Sequence, residues 1–291
     1  MRLFDVAESL YVDIFSDKVM SQGVLYKATG KNYIEEASHS AKTVKNNNKD
    51  LKTAIITDTE VSSGIFDLVI KPTDSLPNDN SSNILYPDSS PFDRTIYLDT
   101  DTHVCEDLSP VFDLLDEFNL GVTFATSRHA VPNQNNVFSG YSGGILVFDS
   151  SEVVDGFHKL WYDKYWEFRE DRGITRNQPS LSYAILNSPA DFITLPGEFN
   201  TFVNPGSDVG YLYKKAKILH GRPESFEPIE DQLNDTKGMR TYRVMPGMVS
   251  NGDIRLVQPS EENIIKKLYR SLLKNGPRRT VQKGLKKIKK E

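Results

Sequence analysis

Short apolar runs and amphipathic stretches alternate along the first half of the chain. Apolar runs at residues 23–26, 53–57 and 66–70 predict three strands. Between the first two runs, apolar residues recur every three or four positions, and this spacing predicts a helix that buries Ile34, Ala37, Ala41 and Val44. The succession of strand, helix and strand favours a parallel sheet.

Two helix starts are predicted from capping residues. Asn32 is followed three residues later by Glu35, as in a capping box, and so marks the start of the first helix. Ser109 precedes Pro110, a pair that predicts an N-cap followed by a first-turn proline.

The second half of the chain continues the alternation. Apolar runs predict five further strands, and helical spacing predicts two further helices. The strands lie at residues 94–98, 121–125, 144–148, 192–195 and 216–219, and the helices at 151–169 and 178–186. Residues 72–91 are rich in Pro, Ser, Asn and Asp, and residues 128–141 are polar, so both stretches are predicted loops.

The size and composition of the chain fit one α/β domain with appendages. Its 291 residues are 38% hydrophobic, enough for a sizeable core. We predict an N-terminal extension at 1–22, a main body at 23–257 and a tail at 258–291. Cys105 is the single cysteine and is predicted to be a packing residue. Without a signal-type apolar segment or a membrane-spanning run, the expected location is cytoplasmic.

The charge of the chain is unevenly distributed. The net charge is −5, but residues 264–291 hold 11 Lys/Arg against one Glu, which leaves −15 on the rest. The acidic body argues against nucleic acid as a partner. The tail predicts either a basic amphipathic helix on an anionic membrane surface, at the inner face of the membrane, or a solvated tail that packs on the body. Its apolar stripe is Ile264, Ile265, Leu268, Tyr269, Leu272 and Leu273.

The main candidate for chemistry is a pair of carboxylates at the end of a strand. Asp99 and Asp101 flank Thr100 where the apolar run 94–98 stops. Ligands of open α/β sheets bind beyond the carboxyl ends of the strands. Oxygen ligands of this kind suit a divalent cation, which can in turn hold a diphosphate. The competing interpretation is two solvated loop carboxylates.

Residues 94–102, followed by Asp107-Leu108, resemble the D-x-D segment of glycosyltransferase family 8. The chain is also similar to a group of archaeal sugar-nucleotide transferases, whose motifs occur here in the same order between residues 23 and 222. The matching segments are residues 23–37, Ser90-Pro91-Phe92-Asp93-Arg94, Ser142-Gly143-Gly144-Ile145, Asn177-Gln178-Pro179-Ser180, Pro196-Gly197-Glu198-Phe199-Asn200 and Ile218-Leu219-His220-Gly221-Arg222.

This resemblance implies a GT-A fold, a Rossmann-like α/β domain with a mostly parallel sheet between helices. It implies transfer of a hexose from a nucleotide-diphosphate sugar, with a UDP-sugar favoured, to a glycan, glycolipid or protein acceptor. It also implies a metal site made by Asp99, Asp101 and His220. Imidazole suits Mn²⁺ better than Mg²⁺, so Mn²⁺ is the expected cofactor and Mg²⁺ the alternative.

The resemblance further implies a set of donor-binding and catalytic residues. The nucleobase would lie at the end of the first strand, the diphosphate at the D-x-D segment and the sugar near small residues and an amide. The donor-binding residues would be Tyr26, Ala28, Thr29, Tyr33, Asp58, Arg94, Asp99, Thr100, Ser142, Gly143 and Gly144. The catalytic residues would be Asp101, Gln178 and Glu198.

The chain departs from the family pattern at two places. A lysine common upstream of Ser90 is missing, so the diphosphate would be bound by Lys27, Arg94 or Arg222. Asn177 stands before Gln178 where Asp is usual. An inverting reaction would need a carboxylate base, for which Glu198 and Asp191 are available. The His220 match favours a retaining reaction.

Three other functions fit parts of the sequence. Residues 96–102 also match the nucleophile motif of haloacid dehalogenase phosphatases, in which Asp99 would attack phosphorus and Asp101 would act as acid and base. That motif normally opens its domain, whereas about a third of this chain precedes it. A nucleotidyltransferase would need a richer Gly-Lys signature than Thr29-Gly30-Lys31. A non-catalytic, glycan-organising protein would not need to keep the candidate ligands.

Overall fold

A computed structural model describes residues 21–72, 84, 90–125, 140–204 and 210–242, together with the backbone of 243–244 and 254–257. The predicted N-terminal extension up to residue 20, most of the two predicted loops and the basic tail lie outside the described residues. The membrane-surface hypothesis and the domain boundaries therefore stay predictions. Among the helices of the described ranges, none is both long and apolar enough to cross a bilayer.

Thirteen strands are present in the described part of the chain. In chain order they are β1 (Gln22–Lys27), β2 (Lys52–Ile56), β3 (Leu68–Ile70), β4 (Arg94–Leu98), β5 (Thr102–Val104), β6 (Leu120–Phe124), β7 (Tyr141–Asp149), β8 (Phe192–Thr194), β9 (Thr201–Phe202), β10 (Gly210–Leu212), β11 (Ile218–His220), β12 (Arg240–Val244) and β13 (Ile254–Val257). The helices are α1 (Lys31–Asn47), α2 (Glu152–Arg172), α3 (Gln178–Asn187) and α4 (Glu227–Asn234), with 3₁₀ helices at Ser109–Asp116 and Gly197–Phe199.

Seven strands form the central sheet, in the order β3-β2-β1-β4-β7-β6-β8. Every neighbouring pair is parallel except the two pairs made by β7, which is antiparallel to β4 and β6. The predicted mostly parallel α/β sheet is confirmed. Because six strands share one direction, their carboxyl ends meet at one edge, and the start of β7 lies at that same edge.

The central sheet is covered by helices on both faces. Val24 and Leu25 are adjacent, so their side chains point to opposite faces of β1. Val24 packs in a core with α1 and the 3₁₀ helix at Ser109–Asp116, whereas Leu25 packs in a second core with α2 and α3. Burial on both faces explains why the strands are continuous apolar runs in the sequence.

Helix α1 docks the D-x-D segment through a polar stripe. Glu36, Ser40, Thr43 and Asn47 recur at helical spacing and face the chain between Thr100 and Val104. The Ser40 hydroxyl lies 2.7 Å from the Thr102 hydroxyl. The Thr43 hydroxyl accepts from the backbone of Val104, and the Asn47 amide donates to the carbonyl of the same residue. These bonds fix the main chain that follows β4.

Two predicted helix starts differ from the structure. Helix α1 begins at Lys31 after Gly30, whose φ of 82° suits glycine, and the N–H of Gly30 donates to the Thr59 hydroxyl. Asn32 therefore lies inside the first turn, and its predicted capping role is wrong. The 3₁₀ helix begins at Ser109, and Leu108 occupies the capping position. Ser109 is therefore the first helical residue, and its predicted role as the N-cap is wrong.

Candidate metal and nucleotide site

The two carboxylates of the D-x-D segment lie at the carboxyl edge of the central sheet. Asp99 directly follows β4, and its N–H donates to the carbonyl of Gly144 on β7 at 2.7 Å. The Thr102 hydroxyl donates to the Asp99 carbonyl at 2.8 Å, which closes a tight turn. This turn brings the side chain of Asp101 back beside that of Asp99.

A second, smaller sheet brings His220 to the carboxylates. Strand β11 lies between β5 and β9, and its antiparallel register with β5 places His220 opposite Thr102. The Nε2 atom of His220 lies 3.4 Å from Oδ1 of Asp101 and 3.8 Å from Oδ2 of Asp99. One ligand atom from each of the three residues lies within 4.8 Å of the others, so the group could hold a metal ion. We call Asp99, Asp101 and His220 the aspartate–histidine triad.

Asn200 sets the orientation of the His220 ring. Its amide Nδ2 donates to the Thr123 hydroxyl at 3.1 Å, so its Oδ1 faces His220. That oxygen lies 2.8 Å from Nδ1 of His220, and since an amide oxygen can only accept, Nδ1 carries the hydrogen. Nε2 is therefore the nitrogen that faces the carboxylates: it donates to Asp101 when the ring is protonated, and it offers its lone pair to a metal when the ring is neutral.

We expect Asn200→Leu to weaken Mn²⁺ binding by about 10- to 100-fold, the usual effect of removing a partner that orients a metal-ligating histidine. Asn200→Asp keeps an acceptor for Nδ1 and should retain the affinity. Calorimetric titration with Mn²⁺ checks both variants. Equal affinities for the leucine variant and the wild type would show that Asn200 does not position His220.

Gly144 leaves the space that the His220 ring and the Asp99 carboxylate occupy. A Cβ atom at residue 144 would lie 2.5 Å from Cε1 of His220 and 2.7 Å from Oδ2 of Asp99. The pairing of β6 with β7 shifts register between Val122 and Thr123, which places a bulge in β7 next to the site. Ser142 still pairs with Thr123, while Gly143 and Gly144 of the predicted segment lie in the bulge, and the Ser142 hydroxyl accepts from the N–H of Gly144.

Arg222 places a cation at the edge of the aspartate–histidine triad. Its Nη1 lies 3.0 Å from Oδ2 of Asp101, and its Nε and Nη2 lie 2.7 and 3.0 Å from the two oxygens of Glu36. Glu36 also accepts from the Thr100 hydroxyl at 2.8 Å. The guanidinium carbon lies 5.8 Å from the centre of the Tyr33 ring. Helix α1 and the D-x-D segment are therefore joined through Glu36 and Arg222.

The two carboxylates are in different electrostatic states. Burial raises the pKa of Asp99, and the Asp101 charge adds to this rise. Burial alone would also raise the pKa of Asp101, but the hydrogen bond to His220 and the charges of His220 and Arg222 hold that pKa below its usual value. Burial opposes the charged form of His220, yet Asp101 and Asp99 together raise its pKa. A divalent cation would relieve the repulsion between the two carboxylates.

A separate polar cluster lies at the carboxyl ends of β1 and β2. The Thr29 hydroxyl donates to Asp58 at 2.6 Å, and the Thr59 hydroxyl also lies 3.2 Å from that carboxylate. Thr29 and Asp58 are both predicted donor-binding residues, and the structure brings them together. Ala28 follows β1, with its N–H on the Ile56 carbonyl.

Two predicted donor-binding tyrosines differ in accessibility. Tyr33 is 43% exposed on α1, where its ring can meet a ligand. The Tyr26 side chain has no exposed surface, and its hydroxyl lies 2.9 Å from the Ser40 hydroxyl. The predicted contact of Tyr26 with a base could involve only its backbone, because the alternation along β1 turns its side chain into the core.

The structure separates the three candidate cations for a diphosphate. Arg94 begins β4, about 16 Å along the strand from Asp99, and binds the Phe112 carbonyl and the Asp116 carboxylate. This places Arg94 at the opposite edge of the sheet, against the prediction. Lys27 is buried, donates to the Ile84 carbonyl and has its pKa lowered to about 8 by burial. Arg222 is the candidate whose guanidinium contacts the aspartate–histidine triad.

Three further residues, Glu198, Asp191 and Gln178, are predicted to take part in catalysis, and they lie in three different parts of the fold. The Glu198 carboxylate is buried and accepts from the N–H groups of Tyr213 and Lys214 at 2.7 and 2.8 Å. These bonds hold the chain after β10, and its role as a base stays a prediction. Asp191 precedes β8 at the amino edge of the sheet, against its predicted role as a base. Gln178 begins α3, and a bond from the Tyr141 N–H to the Ser182 hydroxyl joins this helix to the start of β7. The catalytic role of Gln178 stays a prediction.

No protein-family model matches the chain, and no curated protein matches it. Among solved structures, the glycosyltransferase GlyE of Streptococcus pneumoniae TIGR4 is 18% identical with a TM-score of 0.47, over 62% of this chain and 46% of that chain. The galactosyltransferase LgtC is 14% identical with a TM-score of 0.48, over 69% of this chain and 87% of that chain. Mouse xyloside xylosyltransferase 1 is 14% identical with a TM-score of 0.45, over 69% of this chain and 98% of that chain.

The sequence does not predict two residues of the site. Glu36 links Thr100 to Arg222, and Asn200 orients His220. A signal for Glu36 is present in the sequence, because it lies three residues after Tyr33 and four before Ser40 on one face of α1. Asn200 lies within a matched segment, but its bond to His220 joins two parts of the chain that only the tertiary fold brings together.

Proposed function

We propose that the protein is a metal-dependent glycosyltransferase that uses a nucleotide-diphosphate sugar as donor. The observation that carries the proposal is the aspartate–histidine triad, assembled from two different sheets at the carboxyl edge of the central one. That edge is where open α/β sheets bind nucleotides. The polar cluster of Thr29 and Asp58 lies at the same edge, where a nucleoside would extend from the metal.

The aspartate–histidine triad fits Mn²⁺ in three respects. It offers two carboxylates and the Nε2 nitrogen of an imidazole that faces them. Its ligand atoms are close enough for one ion to contact all three. Gly144 keeps the space between ring and carboxylate open. The imidazole favours Mn²⁺ over Mg²⁺. A bound cation would offset the charge that develops on the leaving diphosphate.

Arg222 is the residue we propose for the diphosphate. Its guanidinium already lies 3.0 Å from Asp101, and its side chain is 53% exposed, so an anion at the metal site can reach it. Arginine forms paired hydrogen bonds with phosphate oxygens. In the free protein Glu36 and Asp101 hold this guanidinium in place. Donor binding would exchange part of this pairing for phosphate.

We expect Arg222→Gln to weaken the binding of UDP in the presence of Mn²⁺ by roughly 10- to 150-fold, because a charge-assisted hydrogen bond contributes about 1.5–3 kcal/mol. Mn²⁺ affinity itself should be retained or increased, since a competing cation is removed from Asp101. Arg172→Gln, at the exposed end of α2, is the matched control. Calorimetry with UDP measures all three proteins, and unchanged UDP affinity in Arg222→Gln would contradict this role.

The finer parts of the proposal rest on the family resemblance. We infer a UDP-hexose donor, a retaining reaction and a glycan, glycolipid or protein acceptor. Gln178 would lie near the anomeric carbon, while Ser142 and Gly143 would border the sugar. Next to the bulge in β7, Phe124 and Tyr141 stack with ring centres 5.4 Å apart, and Phe124 is 52% exposed. This aromatic pair offers a surface for the apolar face of a sugar ring.

The phosphatase alternative conflicts with the electrostatics of the site. It would need an ionised Asp99 as nucleophile and a protonated Asp101 as acid. Burial instead raises the pKa of Asp99, while His220 and Arg222 lower the pKa of Asp101. Because a lowered pKa keeps Asp101 ionised, the protonated form that the phosphatase acid would need is disfavoured.

A donor panel tests the proposed function. The protein is incubated with Mn²⁺ and with UDP-, GDP- and dTDP-sugars, and donor hydrolysis is followed together with thermal stability. We expect one nucleotide class to be hydrolysed slowly and to raise the melting temperature only when Mn²⁺ is present. The absence of any metal-dependent response to every donor would contradict the proposal. Phosphate release from simple phosphomonoesters, lost in Asp99→Asn, would support the phosphatase instead.

A further inference from the structure

A second group of metal-ligating side chains lies along β5, the strand that follows the D-x-D turn. His103 is in β5, Cys105 follows that strand, and Glu230 lies on α4. One ligand atom from each of these residues lies within 4.8 Å of the others. His103 and Cys105 are two residues apart on an extended chain, so their side chains point to the same face. We call His103, Cys105 and Glu230 the cysteine triad.

The imidazole of His103 is oriented as in a metal site. Its Nε2 lies 2.9 Å from Oε2 of Glu230, and its Nδ1 lies 3.0 Å from Nε2 of His39 on α1. A metal-ligating histidine usually bonds through its other ring nitrogen to an acceptor in the surrounding shell. His39 can be that acceptor when it is neutral, and the ring of Phe226 stacks 5.0 Å from His103 and 5.6 Å from His39.

We propose that the cysteine triad is a zinc site, separate from the aspartate–histidine triad. A thiolate, an imidazole and a carboxylate are the ligand types that Zn²⁺ takes. The thiolate distinguishes this group from the oxygen-rich D-x-D site, because sulfur ligands favour Zn²⁺ over Mn²⁺ or Mg²⁺. Three protein ligands leave a fourth position for water.

The burial of the three residues fits an ion held at the protein surface. His103 and Cys105 are 5% exposed, whereas the side chain of Glu230 is 29% exposed. Solvent and the ion can therefore enter on the Glu230 side. Burial raises the pKa of the Cys105 thiol, and the Glu230 charge raises it further. Binding of Zn²⁺ to this thiol would form the sulfur–metal bond and release the thiol proton to solvent.

The position of the proposed site implies a structural effect on the aspartate–histidine triad. A bound ion would join β5 directly to α4, and to α1 through His39. Strand β5 begins one residue after Asp101 and pairs with β11, which carries His220. The ion would therefore stabilise the two strands that hold the aspartate–histidine triad in place.

The single cysteine of the chain makes the site testable by a specific signal. Co²⁺ bound to a thiolate gives a sulfur-to-cobalt charge-transfer band in the near ultraviolet, and in this protein such a band can come only from Cys105. The full-length protein is stripped of metal, titrated with Co²⁺, and then titrated with Zn²⁺ to displace the cobalt. Cys105→Ser and Glu230→Gln are measured in parallel, with Glu227→Gln on the same helix as a control.

We expect a saturable charge-transfer band that Zn²⁺ displaces; the band reports the cysteine triad alone, because the aspartate–histidine triad, which can also bind Co²⁺, has no sulfur ligand. The band should be absent in Cys105→Ser and present in Glu227→Gln. Glu230→Gln should weaken Zn²⁺ binding by more than the roughly 10- to 100-fold that the loss of an outer-shell partner costs. No charge-transfer band from the wild type would overturn the proposal. An unchanged Zn²⁺ affinity in Glu230→Gln would also overturn the proposal. If Cys105→Ser does not fold, Glu230→Gln still provides this test. Neither result depends on glycosyl transfer.

Discussion

Gly144→Ala is expected to reduce Mn²⁺-dependent donor turnover by about 100-fold or more, because the added methyl group displaces a metal ligand. That group would lie 2.5 Å from the His220 ring and 2.7 Å from the Asp99 carboxylate, so at least one of these ligands must move. A displacement of about 1 Å in a reacting site can cost a factor of about 100. Mn²⁺ affinity and the turnover rate are measured on the same preparation.

Gly143→Ala is the matched control for this substitution. A Cβ atom at residue 143 would lie 3.5 Å from Trp161 and 3.6 Å from Leu181, which is ordinary van der Waals contact. This variant should therefore keep Mn²⁺ binding close to that of the wild type. Circular dichroism distinguishes a displaced ligand from a general loss of folding in Gly144→Ala. Equal Mn²⁺ affinity for both alanine variants would contradict the geometry described for the metal site.

Asp99→Asn and Asp101→Asn should each lower kcat/KM for the donor by roughly 1000-fold, since a bound cation supplies several kcal/mol of charge stabilisation.

The effects of the two substitutions on the folding stability of the metal-free protein should be opposite. The pKa of Asp99 is raised by folding, so replacing its carboxylate with a neutral amide should maintain or increase stability at about pH 7. The pKa of Asp101 is lowered by folding, so Asp101→Asn should reduce stability.

The pH dependence of stability separates these two effects. The contribution of Asp101 is present above its unfolded-state pKa and is lost as the pH falls through its lowered folded-state pKa. Ionisation of Asp99 opposes folding once the pH rises above its unfolded-state pKa. Chemical denaturation in a chelator, at several pH values, measures both variants. Stability changes of the same sign and size in the two variants would contradict the assignment of the two carboxylates.

Much of the central sheet could be predicted from the sequence because its strands are buried on both faces. Residues 94–98 are predicted as a strand and form β4 over the same range. The antiparallel direction of β7 was not predictable from its apolar residues, because a doubly buried strand has the same composition in either direction. The predicted start of α1 is misplaced because Asn32 resembles a cap, while the tight turn after β1 uses the positive φ of Gly30.

His220 could be predicted as a metal ligand only through the resemblance, because it lies far from Asp99 in the sequence. Strand β11 brings them together through its register with β5, a long-range contact that no local pattern reports. The position of Arg94 could have been corrected from the sequence, since a residue that begins a strand cannot lie beside the residue that follows its end. The role of Asn200 required the tertiary structure.

The most direct measurement is the binding of Mn²⁺ followed by electron paramagnetic resonance, in which free Mn²⁺ gives the signal and bound Mn²⁺ does not. The account predicts that the wild type removes Mn²⁺ from solution in a one-to-one ratio, and that UDP tightens this binding. Asp101→Asn should bind Mn²⁺ weakly with or without UDP, whereas Asp163→Asn, on the exposed side of α2, should behave as the wild type. Mn²⁺ binding that is the same in Asp101→Asn and the wild type would contradict the claim that Asp99, Asp101 and His220 form the metal centre.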